Sequence, residues 1–292
     1  MPTLEELLKP SKSHKETPAR FSIRIDGMPK TGKSALALTA SKQCPHPNKW
    51  DAKNAVNVDD ILWLGFEENC LMYPQRKGVH VTNVFDWSHP DYTWDDIKKA
   101  IKALPGLRQQ FIDKGIKTIV VDTLSAFDNL LVRDLVQRPE FARDKDKMLA
   151  YGGVSDAQDL LLDCLRATGL NFIGLVHLQP FQPWGEDGTN DAFKKNAEKQ
   201  VDKIEAVSLG GLRADFIPSM RVKAAGRWAR LTDATLVTFA EERTVRAGVK
   251  ELVYRFTQSA DSEFNCGSRW ALRGDMEPYL FPLLADIYNL KG

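Results

Sequence analysis

Eight consecutive residues, Gly27-Met-Pro-Lys-Thr-Gly-Lys-Ser34, have the types and spacing needed to hold a run of phosphates. Glycines at both ends of the turn let backbone N–H groups close around an anion where a Cβ would intrude. Lys33 brings a cation to the β- and γ-phosphates, and the Ser34 hydroxyl suits a magnesium ion. The expected nucleotide-binding segment is therefore Gly27, Met28, Pro29, Lys30, Thr31, Gly32, Lys33, Ser34 and Ala35, with ATP and Mg2+ as the groups bound.

Three further residues carry chemistry that such a loop needs. Asp122 closes the apolar run Thr118-Ile-Val-Val, where a carboxylate holds Mg2+ through its water shell. The alternative is a strand-end aspartate that caps a following helix, since Thr123 and Ser125 come next. Because Thr123 is not an acid, the carboxylate that orients the attacking water must come from another strand. Glu67, after the run Ile61 to Phe66, is chosen for that role, with Glu68 as the alternative. His177 follows the run Asn171 to Val176 and is placed to sense the γ-phosphate or its water, as Gln179 could also do.

The elements that must position these residues follow from the hydrophobic pattern. Phe21, Ile23 and Ile25 alternate, as in a half-buried strand, up to Asp26. Lys33 to Ser41 is rich in Ala and Leu and predicts a helix. Ile61–Phe66, Thr118–Asp122 and Asn171–Val176 are short apolar runs of the kind buried in parallel sheets, and Val79–Phe85 is another short strand. Trp94 to Lys114, with a break near Pro105, and Val154 to Thr168 have helical spacing. The alternation predicts an α/β fold with a mostly parallel sheet flanked by helices. After Ala214 the runs Phe216–Val222, Leu236–Phe239 and Leu252–Phe256 read as antiparallel or edge strands, and Pro278–Leu290 as a helix. Residues 1–20 read as a flexible arm and residues 21–292 as one ATPase domain, with a nucleotide core over 21–180 and a loop, strands and a helix over 181–292.

Composition removes several classes. A formal charge of +1 makes no global electrostatic case for nucleic acid, so any basic surface must be local. No apolar run approaches the ~20 residues of a membrane span, and Met1 to Arg20 lacks the apolar stretch of a signal peptide. Cys44, Cys70, Cys164 and Cys266 form no CxxC pair, which fits reduced thiols in a cytoplasm. Cys44, His46, Cys70 and His80 do not have the spacing of a regular zinc site.

The order of motifs resembles the RecA-like recombination ATPases, and within them the small phage-encoded branch associated with single-strand annealing. The resemblance rests on Gly27–Ser34, Leu62-Trp-Leu-Gly-Phe-Glu67, Thr118-Ile-Val-Val-Asp-Thr-Leu-Ser125, Tyr151-Gly-Gly-Val154 and Ile173-Gly-Leu-Val-His177. It covers residues 20–180. The chain departs from it at Gly65, where the family often has Asp, and at Glu68 or Asn69, where it often has glycine.

The resemblance implies a RecA-like fold, a homo-oligomeric ring or filament, and a cation supplied across the subunit boundary. Arg269 is the candidate for that cation, ahead of Arg273 and Lys250. It also implies that single-stranded DNA meets the segment Leu178 to Leu212. There Phe181, Trp184 and Phe193 are interleaved with Lys194, Lys195, Lys199 and Lys203, but acids are interleaved too. The function expected is a DNA-stimulated ATPase of phage recombination or annealing, in the cytoplasm of the host if phage-encoded. A single-strand-binding protein is a further partner on this reading, and no membrane is involved. The alternatives are a nucleotide-gated assembly or loader protein and a small P-loop kinase. A kinase would want a lid of clustered arginines, and only Arg133, Arg138 and Arg143 are at hand, spread over a charged stretch.

Overall fold

The computed structural model describes residues 20–136, 144–180, 216–220, 222–246, 249–257, 267–268 and 275–287. The first strand, β1 (Ser22–Gly27), leads through the glycine-flanked turn into helix α1 (Lys33–Leu38). Then come β2 (Val56–Gly65), α2 (Met72–Arg76), β3 (Val79–Asp86), α3 (Trp94–Ala103), α4 (Arg108–Asp113), β4 (Thr118–Asp122), α5 (Leu124–Leu131), α6 (Asp144–Thr168) and β5 (Asn171–Pro180). The C-terminal third adds β6 (Phe216–Pro218), α7 (Val222–Leu231), β7 (Ala234–Arg246), β8 (Val249–Thr257), β9 (Gly267–Ser268), β10 (Asp275–Met276) and α8 (Leu280–Ile287).

The sheet runs in the order β10-β8-β7-β1-β5-β4-β2-β3. Every pair from β7 to β3 is parallel, while β8 and β10 turn antiparallel. Two features define the RecA-like arrangement of a P-loop fold. A strand, β5, lies between the phosphate-loop strand β1 and the acid-tipped strand β4, and beyond β1 the sheet continues through β7, which is parallel to β1 and internal rather than antiparallel or at an edge, to the antiparallel β8 and β10. The expected fold class is thus the observed one.

Each strand feeds both faces of the sheet because successive side chains point opposite ways. Leu62, Leu64, Ile119, Val121 and Phe172 pack with Ile97, Phe127, Leu161 and Trp228 from the helices on one face. Ile23, Ile25, Ile61, Trp63, Val120 and Leu175 pack with Leu36 and Leu38 of α1 and Leu280 and Leu284 of α8 on the other.

Several sequence expectations need correction. β1 is buried on both faces, not half-buried. Its polar face holds Arg24 and Asp26, which satisfy each other and a helix carbonyl. The helix expected over Lys33–Ser41 stops at Leu38, and Thr39 instead receives the N-terminus of α8: Leu280 N–H donates to Thr39 Oγ1 at 2.9 Å and Phe281 N–H to Thr39 O at 2.8 Å. The run Phe216–Val222 is a strand only to Pro218, and Val222 opens α7, whose Ala224, Ala225 and Trp228 form a buried stripe with helical spacing. β2 begins five residues before Ile61, α6 ten before Val154, and β5 continues past Val176 to Pro180 because β6 pairs with its last three residues. The break near Pro105 is a 3-10 turn between α3 and α4. No helix among the described residues is long and apolar enough to cross a membrane.

Candidate active site

Parallel pairing aligns the carboxyl ends of the strands. Gly27 stands opposite His177, and Gly65 opposite Asp122. The phosphate turn, His177, Asp122 and Glu67 therefore emerge along one edge, where ligands of open α/β sheets bind.

The turn itself is built by residues with unusual backbone. Lys30 and Gly32 have φ of 66° and 87°, which folds the chain back before α1. Lys33 is buried, and its ammonium donates to the carbonyls of Gly27 at 2.9 Å and Met28 at 2.8 Å. Burial lowers the Lys33 pKa to about 8, against the pull of Asp122, Glu67 and Asp26, so the group is mainly a cation at neutral pH. The expected turn residues are thus together, with the ammonium inside the turn.

Ser34 and Asp122, the two residues expected to hold magnesium, meet each other directly. Ser34 Oγ donates to Asp122 Oδ2 at 2.9 Å. Burial pushes the Asp122 carboxyl up to about 6; the Glu67 charge adds to the rise, while Ser34, Lys33 and His177 oppose it. A divalent cation beside Ser34 would supply the positive charge that this buried carboxylate lacks. Among the described residues no three His, Cys, Asp or Glu side chains converge as a metal cage.

The two readings of Asp122 divide between neighbours. Asp122 faces Ser34, and it is Thr123 that caps α5, its hydroxyl accepting from Ala126 N–H at 3.1 Å.

Glu67 and His177 are paired across the tip of β4. His177 Nε2 lies 2.8 Å from Glu67 Oε2, and Thr123 Oγ1 donates to the same oxygen at 3.4 Å. The His177 hydrogen bond holds the Glu67 carboxyl below its usual range, against the effect of partial burial. His177 is fixed from behind: its backbone N–H donates to Ser125 Oγ at 3.0 Å. The ring's Nδ1 is buried without a hydrogen-bond partner among the described residues. Glu68 is not drawn into this pairing. Asn69 has a φ of 60°, a conformation asparagine tolerates well.

Sequence reasoning missed three contributors. Ser125 and Thr123 enter the sequence reading only as the residues that follow Asp122. Thr238 carries no motif at all, yet its hydroxyl lies 2.8 Å from that of Thr31 in the turn. Arg269 and Arg273 lie outside the described residues, as does all of the segment Leu178–Leu212, expected to meet DNA, that follows Pro180. Arg133, weighed for a kinase lid, donates to the Tyr92 carbonyl at 3.1 Å and pairs with its neighbour Asp134.

A family model described as an AAA domain matches residues 19–206, well over half of the chain. The chain belongs to this AAA-domain family. The match takes in Gly27–Ser34, Glu67, Asp122 and His177, and ends before β6, so β7 and Thr238 lie beyond the matched AAA domain. No curated protein matches the chain. Among solved structures it is similar to a KaiC-like protein from the hyperthermophilic archaeon Pyrococcus horikoshii OT3, with 8% identity over 81% of this chain and 76% of that one and a TM-score of 0.33. A likeness that loose transfers no residue roles. The AAA domain with its phosphate turn makes this a P-loop nucleotide-binding protein of the ATPase type.

Proposed function

We propose that this protein hydrolyses Mg·ATP, and that it does so as a homo-oligomer acting on single-stranded DNA in phage recombination or annealing. The hydrolytic part rests on one observation: Glu67, hydrogen-bonded to His177, stands at the same sheet edge as the Ser34–Asp122 pair and the Lys33 ammonium. Magnesium, when bound, neutralises phosphate charge and orients the triphosphate. Lys33 would turn its three donors from the Gly27 and Met28 carbonyls toward phosphate oxygens. A carboxylate of lowered basicity is better suited to orienting a water than to removing its proton early. His177, whose strand leads into the segment after Pro180, ties the Glu67 carboxylate to whatever that segment contacts.

The DNA and oligomer parts rest on the sequence: the aromatic and lysine-rich stretch after Leu178, and the order of motifs shared with RecA-like recombination ATPases. Arg269 is proposed as the cation that acts on the neighbour's phosphates. A single-strand-binding protein and the host cytoplasm complete the setting. ATPase rate with and without single-stranded DNA tests the reading. A rise with DNA supports it. ATP-dependent assembly without stimulation moves the assignment to the assembly or loader class, and turnover of a small acceptor to the kinase class. Partial recovery of activity on mixing Arg269→Ala with Lys33→Ala chains would support Arg269 acting in trans.

A further inference from the structure

The first glycine of the phosphate turn has a steric reason that comes from the far end of the chain. Gly27 is the register partner of Thr238 on β7. A Cβ on Gly27 would lie 2.2 Å from Thr238 Oγ1 and 2.5 Å from Thr31 Oγ1, distances no carbon tolerates. That space is held for a hydroxyl pair. Thr238 Oγ1 is 2.8 Å from Thr31 Oγ1, and Thr31 Oγ1 donates to the Met28 carbonyl at 2.8 Å. With the Thr31 proton on the Met28 carbonyl, Thr238 donates to Thr31, and the Asp26 carbonyl, farther away at 3.3 Å, is the competing acceptor for the Thr238 proton. The Met28 carbonyl is one of the two that hold Lys33, and the Met28 side chain packs against Leu178 and Val237.

We propose that Thr238 is a positioning residue of the phosphate site: its hydroxyl, through Thr31 and the Met28 carbonyl, sets the turn around Lys33, so the C-terminal strand β7 completes a site whose motif lies wholly at the N-terminus. The inference rests on the ATPase reading. The physical content is a satisfied acceptor. When Lys33 leaves the Met28 carbonyl for phosphate, the Thr31 hydroxyl still donates to that carbonyl at 2.8 Å, beside the longer 3.3 Å bond from the Thr31 N–H, so the move does not orphan a polar group. Thr238 holds Thr31 in the position that makes this donation, and with it the shape of the turn. An apolar side chain at position 238 would leave Thr31 free to turn away.

The test uses the full chain. ATP affinity in Mg2+ by calorimetry, KM and kcat are measured for wild type, Thr238→Val, Thr238→Ser, Thr31→Val and the double valine variant. Amide exchange across Met28–Lys33 is measured without nucleotide. The expected result for Thr238→Val is a rise of about three- to tenfold in both Kd and KM, the worth of one hydrogen bond, with kcat at saturation within about twofold. Thr238→Ser restores affinity. Thr31→Val matches Thr238→Val, and the double variant is no weaker than either single one, because they break one chain. Wild-type affinity in Thr238→Val, a fall in kcat at constant KM, or failure of serine to rescue would overturn the proposal. If Thr238→Val does not fold, Thr31→Val, at a half-buried turn position, breaks the same chain, and wild-type affinity there would overturn the proposal equally. Amide exchange separates this inference from the reading beneath it. A wild type that binds no ATP refutes the ATPase reading, whereas unchanged exchange in Thr238→Val refutes the anchoring of the turn.

Discussion

The two halves of the catalytic edge are built in opposite ways. On the β1 side, the two ends of the phosphate turn, Gly27 and Lys33, are buried, while Pro29 and Lys30 at its tip are exposed. Lys33 is buried among carbonyls, and Thr31 is bonded to Thr238. Beneath the turn, Arg24 and Asp26 form a two-pronged ion pair whose side chains are only 4% and 2% exposed, and Arg24 also donates to the Ala225 carbonyl of α7 at 2.7 Å. On the β4 and β2 side, the Glu67 side chain is 42% exposed and His177 21%, and two hydrogen bonds to a single oxygen hold the carboxylate. A turn held by several internal bonds keeps its backbone shape when phosphate arrives, and only the Lys33 ammonium turns from carbonyls to phosphate oxygens. A half-exposed pair held by two bonds can be released by a change in the strand that carries His177. Binding and turnover should therefore separate cleanly by mutation.

The sharpest break should come from Glu67→Gln. The amide keeps the shape and loses the charge that orients water, so turnover should fall by about 10²–10⁴-fold while ATP affinity stays within a few-fold. Single-turnover hydrolysis beside equilibrium binding checks it. If Glu68→Gln gives this result instead, the water-orienting carboxylate is the neighbour.

Lys33→Ala should do the reverse. Mg·ATP affinity should fall by about 10²–10³-fold, the scale of a buried charged donor lost from its partner, with the folded circular dichroism spectrum retained. Normal affinity in the folded variant would remove the basis for the phosphate site.

Arg24→Ala tests whether the β1 half is the rigid one. It leaves Asp26 buried without its cation, where burial already pushes the carboxyl up, and should cost about 3–5 kcal/mol in urea unfolding. A loss near zero would mean that the turn does not depend on the ion pair. His177→Ala should have the smallest effect on folding. Its consequence is kinetic: about tenfold slower hydrolysis at unchanged KM, since it supports Glu67 and touches neither Lys33 nor Ser34. Equal losses in affinity and rate would show that the two halves are coupled more tightly than their contacts indicate.

Much of this edge was legible in the residues alone. Glycine, lysine and serine at fixed spacing after an alternating run specify a phosphate turn, because backbone conformation and one charge do nearly all the work over eight neighbouring residues. Apolar runs ending in Glu67, Asp122 and His177 specify strands with polar tips, since parallel strands bury both faces and keep only their ends for chemistry. The helix α7 was not legible, because the run Phe216–Val222 was read as a strand through the residue that opens it.

Tertiary structure alone decided the rest. Which strand lies beside β1 sets whether Thr238 meets Thr31, and no local pattern encodes a pairing between positions 207 residues apart. The buried Arg24–Asp26 pair reads in sequence as an ordinary solvent-facing alternation; it is inside only because α7 covers that face of β1. Local types and spacing determine what a residue is able to do. Strand order and helix placement determine which distant residue it does it with, because those depend on how the whole chain buries its apolar surface.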